Sequence, residues 1–70
     1  MSKQYTIVDE FNVKNSKIIV LNERLNVEDM KHNNIVVDDV IMAYCLTHNE
    51  KWLLVNSIHQ FKGKKITFAN

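Results

Sequence analysis

The chain has 70 residues, nine basic and eight acidic side chains, one glycine, no proline and one cysteine, and 46% of it is apolar. This excludes collagen-like and disordered compositions, a membrane-spanning helix of about 20 apolar residues, and an intramolecular disulfide. A net charge of +1 provides no broad field for attracting nucleic acid. One domain is expected.

Met1-Ser2-Lys3-Gln4-Tyr5 carries no apolar export signal, and there is no cysteine pair. Both features place the chain, as an expectation, in a reducing cytoplasm. Lysine outnumbers arginine eight to one, and asparagine occurs nine times. That is the vocabulary of AT-rich codons, and it suggests a low-GC bacterium or one of its phages or other mobile elements.

In chain order, Tyr5–Val8 opens a strand, with Phe11 and Val13 continuing the odd-numbered face of Tyr5 and Ile7. Lys14–Lys17 is a polar break. Lys17–Leu21 is apolar on both faces, so it is either buried on both sides or turns one face to an interface. In Asn22–Asn34, Asn26 could cap a short helix with Glu28 and Asp29 in its first turn, and the pattern does not exclude a loop or an irregular strand. Ile35–Leu46 reads as a long strand interrupted by Asp38-Asp39 at a bend or bulge. A helix starting at Asp38 or Asp39 is the competing reading.

Thr47–Lys51 is a polar loop leading into Trp52–Val55, and together with the preceding run it reads as a hairpin. Ser57–Phe61 suits a single 3-10 turn. Lys62-Gly63-Lys64 is a tight turn in which Gly63 takes positive φ. Lys64–Phe68 closes the fold, with Ile66 and Phe68 inward. The fold class is therefore mainly β: about five antiparallel strands, as a small barrel or curled sheet, with one short helical turn. This layout resembles the SH3-like small barrels. The resemblance is architectural and carries no ligand-binding signature or function.

Cys45 and His48 have the spacing of one metal-ligand pair, but a structural zinc site needs four ligands. No metal and no cofactor is expected. Cys45 lies mid-strand, which predicts a small buried hydrophobe rather than a nucleophile, and nothing nearby would form an oxyanion hole. Asp38 and Asp39 point to opposite faces if they lie in a strand, so they do not chelate together. The chain is read as non-catalytic.

The leading reading is a small binding protein that docks on a larger protein and modulates or inhibits it. It would act by occlusion or by pairing of a strand edge. Its candidate contact residues are Trp52, Phe61, Lys62, Lys64 and Lys65. The same lysines with nearby aromatics carry the second reading, a nucleic-acid-binding loop. A self-associating homo-oligomer is the third, since a domain this small has trouble burying two apolar faces alone. No membrane partner is expected.

Overall fold

The computed structural model describes residues 3–57 and 59–69. The fold is a single antiparallel sheet of seven strands. These are β1 (Tyr5–Val13), β2 (Ser16–Leu21), β3 (Asn34–Val37), β4 (Val40–Ala43), β5 (Cys45–Leu46), β6 (Trp52–Val55) and β7 (Lys65–Ala69). The only helical element among the described residues is a 3-10 turn at Asp29–Lys31. The architecture is thus the mainly β class that the alternating pattern implies, with seven strands in place of about five, because the Ile35–Leu46 run divides among β3, β4 and β5.

The spatial order is β4-β3-β7-β1-β2-β6-β5. Its two terminal strands, β4 and β5, are separated in the chain by one residue, Tyr44. The sheet therefore curls until its ends approach, although no ladder joins β4 to β5. Tyr44 marks the break: its ring packs edge-on against Phe68 at 5.3 Å, and its hydroxyl donates to the His32 carbonyl at 2.7 Å.

The curl encloses one core, in which Tyr5, Ile7, Ile19, Leu21, Ile35, Leu53, Phe61, Ile66 and Phe68 are buried. Ile66 and Phe68 point inward, as their alternation implies.

The register contains one irregularity, a bulge between Ile7 and Asp9. It explains a misread face. Tyr5 and Ile7 point into the core, but the extra residue, Val8, switches the parity. Phe11 and Val13 therefore lie on the opposite, outer face, where they are partly exposed.

Asp38-Asp39 is neither a bulge nor a helix start. It is the two-residue loop of the β3–β4 hairpin, closed by the Val37–Val40 pair. Both aspartates have positive φ, +52° and +66°, as a type I′ turn requires. Gly63 takes φ +89°, and the turn around it is tied to β1 by Gly63 N–H donating to the Ile7 carbonyl at 2.8 Å.

The 3-10 turn expected at Ser57–Phe61 is absent among the described residues. His59 is a bend, Ser57, Gln60 and Phe61 are irregular, and Ile58 lies outside the described residues. Helical structure falls instead on the segment whose type the sequence left open. There the Asn26 side chain accepts from Glu28 N–H at 2.9 Å and the Asn26 carbonyl accepts from Met30 N–H at 3.1 Å, the bonds of a capping residue made just ahead of the three-residue 3-10 turn.

Candidate functional site: an outer sheet face

On β2 the side chains divide cleanly. Ile19 and Leu21 enter the core, while Ile18 and Val20 point to the other side of the sheet. Cross-strand pairing extends that outer side into rows. Phe11 lies opposite Ile18, Ile18 opposite Leu54, and Leu54 opposite Cys45, giving one row across β1, β2, β6 and β5. The next row is Asp9, Val20 and Trp52. All of these residues except Asp9 are uncharged, and every strand among the described residues belongs to this one sheet, so no second sheet packs over them.

The Phe11 and Trp52 rings meet edge to face at 5.1 Å, above β2. Ile18 beneath them is nearly buried, whereas Phe11 remains 39% exposed.

The sequence-derived contact residues separate in space. Trp52 belongs to this outer face. Phe61 is 1% exposed and is a core residue, so its ring is not offered to a ligand. Lys62 lies at the border of the face, 3.9 Å from Asp9. Lys64 is ion-paired with Asp38 at the hairpin turn. Lys65 is exposed at the start of β7, opposite Thr6. The three lysines do not form a shared basic surface with an aromatic platform, because two are held beside carboxylates and the adjacent aromatic, Phe61, is buried in the core.

The loop carrying Phe61 and Lys62 is fixed from below by a pair that sequence reasoning missed. Lys17 is 6% exposed. Its ammonium lies 3.1 Å from Glu10 Oε1, donates to the His59 carbonyl and stands over the Phe61 ring. The other Glu10 oxygen accepts the backbone N–H groups of Phe61 and, at 2.8 Å, Lys62. Burial alone would raise the Glu10 carboxyl. The Phe61, Lys17 and Lys62 bonds outweigh it and hold the group below its ordinary value of 4.5. Nothing in the sequence signals this latch, since Glu10 and Lys17 lie on separate strands and no motif links them.

A second buried polar group lies across the core. The Tyr5 hydroxyl donates to Asp29 at 2.8 Å and accepts Asn26 N–H at 2.8 Å. Burial, together with the Asp29 carboxylate, pushes the phenol up to about 12 despite the Asn26 bond.

Cys45, expected to be buried, is exposed on the edge strand β5, because the strand is only two residues long and has a neighbour on one side. Among the described residues no three His, Cys, Asp or Glu side chains converge to hold a metal ion. No helix among them is long and apolar enough to cross a membrane. Comparison with protein-family models, with curated proteins and with solved structures finds no match to this chain.

Proposed function

We propose that this chain is a non-catalytic protein-binding domain that docks on a larger protein through the outer face of β1, β2, β6 and β5. One observation carries the reading: the uncharged row Phe11–Ile18–Leu54–Cys45, with Val20 and Trp52 beside it, lies on the side of the sheet turned away from the core, with no second sheet among the described residues to cover it. Contiguous apolar surface rimmed by charge marks interaction sites, and rigid aromatic anchors such as Trp52 and Phe11 concentrate binding energy.

The partner is a protein with a matching apolar depression. Lys62 and Asp9 form part of the polar rim. Occlusion of the partner's surface by this rigid face is the mechanism by which the domain would modulate it.

The nucleic-acid reading has less support, because Lys62 and Lys64 lie beside Asp9 and Asp38. The two readings separate in one experiment. The tagged domain, Phe11→Lys and Lys65→Ala are used for capture from a bacterial lysate at low and high salt. A protein retained by the native domain and by Lys65→Ala, and lost with Phe11→Lys, supports the proposal. Binding carried by nucleic acid would fall steeply with salt and would be lost with Lys65→Ala, and that outcome would contradict the proposal.

A further inference from the structure

The outer face is not flat throughout. β4 pairs with β3 and β5 pairs with β6, and no ladder joins β4 to β5. Between them Tyr44 is drawn inward, with its ring against Phe68 and its hydroxyl bonded to the His32 carbonyl. At this seam lies a cleft of about 290 Å³, with Ala43, Tyr44, Cys45 and Leu54 in its lining.

Ser16 and Asn56 line it from the other side. Ser16 has the parity of Ile18 on β2, and Asn56, just after β6, has the parity of Leu54. The row Phe11–Ile18–Leu54–Cys45 thus runs into the cleft, which is the concave end of the outer face.

Three properties of the lining define what fits there. It contains no charged residue, so a charged group would enter without a countercharge and at a desolvation cost. At about 290 Å³ the cleft falls just below the range of about 300–1,000 Å³ of sites for free small molecules, a size for one side chain. The side-chain amides of Asn15 and Asn56, both at the cleft, make no hydrogen bond among the described residues. Each offers N–H donors and a carbonyl acceptor, the complement of a peptide group.

We infer, resting on the docking reading above, that this cleft receives one uncharged apolar side chain of the partner protein, of leucine to phenylalanine size, while Asn15 and Asn56 bond the main chain that carries it. An apolar anchor seated in a pocket concentrates the binding energy of an interface.

The probes are N-acetyl-leucinamide, N-acetyl-phenylalaninamide and N-acetyl-lysinamide, titrated into the whole domain and followed by the Leu54 methyl signals. Saturable shifts are expected from the first two and none from the lysine derivative. Ala43→Leu and Ser16→Leu fill the cleft from opposite walls, and each should weaken the apolar probes at least tenfold. Phe11→Lys, outside the lining, should leave them unchanged. In the unsubstituted domain the apolar probes should slow alkylation of Cys45 at least threefold, a readout that decides the matter if the filled variants unfold. Absence of saturable shifts, an equal response to the lysine derivative, affinity unchanged in both filled variants, or an unprotected Cys45 overturns the inference.

Capture from lysate separates this anchor from the docking face itself. A protein retained by the native domain and lost with both Ala43→Leu and Phe11→Lys is the expected result. A protein retained by Ala43→Leu but lost with Phe11→Lys keeps the docking face and overturns the anchor. Saturable probe binding with no protein captured overturns the docking reading, and with it the assignment of the cleft to a partner.

Discussion

The rings of Phe11 and Trp52 stand edge to face 5.1 Å apart, although β2 runs between the strands that carry them. Strands two places apart in a sheet are separated by roughly 10 Å. The two side chains therefore lean toward each other over Ile18 and Val20 and give the outer face a continuous aromatic ridge. The ridge depends on both rings. A double-mutant cycle of Phe11→Ala and Trp52→Ala in urea is expected to give a coupling of about 0.5–1.5 kcal/mol. Phe11→Ala alone should red-shift the emission of Trp52, the only tryptophan. Additive stability losses with unchanged emission would show that the rings act separately.

Glu10 joins β1, β2 and the Phe61 loop through three bonds. Glu10→Gln leaves the nearly buried Lys17 without its countercharge and should cost about 1–3 kcal/mol, read by urea titration near pH 7. The pH dependence has a definite sign. The folded-state carboxyl lies below its ordinary 4.5, so its contribution is full above that value and is lost as pH falls through the lower folded value. The native domain should therefore lose stability below about pH 4.5, and its advantage over Glu10→Gln should shrink there. A difference that stays constant down to pH 2 would contradict the latch.

Tyr5 fixes the 3-10 segment to the sheet through Asp29 and Asn26. Tyr5→Phe deprives a buried carboxylate and a backbone N–H of their partner, at an expected cost of about 1–3 kcal/mol. The loss should appear locally as faster amide exchange over Asn26–Lys31. Because the folded phenol is raised to about 12, its stabilising contribution is present below pH 10 and lost as pH rises toward 12. Spectrophotometric titration should show one tyrosine ionising well after an exposed phenol does. A pair of tyrosines both titrating near pH 10 would rule this out.

Much of the fold was legible because period-two patterning marks strands wherever one face is buried. Lys17–Leu21 was legible in a stronger sense. Apolar residues at Ile18 and Val20 as well as Ile19 and Leu21 announced a strand with no wet face, and the outer surface follows from it. The bulge at Val8 was invisible, since one extra residue leaves no compositional trace, and it reversed the faces of Phe11 and Val13. The Asp38-Asp39 turn was hidden for another reason: I′ turns are normally signalled by Asn-Gly or Asp-Gly. Of the expected contact residues, Trp52 lies on the outer face, opposite Val20. Phe61 was misplaced because its polar neighbours, Gln60 and Lys62, read as a surface loop, whereas Glu10 and Lys17 draw that loop onto the core.

The turn itself gives a sharp test. Asp39 has φ +66° with no glycine to relieve it, a conformation costing roughly 1–2 kcal/mol for an L-residue. Asp39→Gly should recover about 1 kcal/mol of stability in urea. Gly63→Ala should lose a similar amount at φ +89°. An added Cβ there meets no atom within 4 Å, so the loss is conformational rather than steric. Opposite signs for these two substitutions are the expected pattern, and a neutral Asp39→Gly would contradict the turn assignment.

The central claim is that the outer face of β1, β2, β6 and β5 docks a protein. Cys45, the single thiol, is exposed and shares a row with Leu54, Ile18 and Phe11, so it provides a reporter inside the face. The most direct measurement is photocrosslinking in lysate from a benzophenone maleimide on Cys45, compared with the same label on Asp39→Cys in a Cys45→Ser background. The account predicts one discrete protein adduct from Cys45, abolished by Phe11→Lys, and no corresponding adduct from position 39. Equal adducts from both positions, an adduct that survives Phe11→Lys, or none from Cys45 would contradict it.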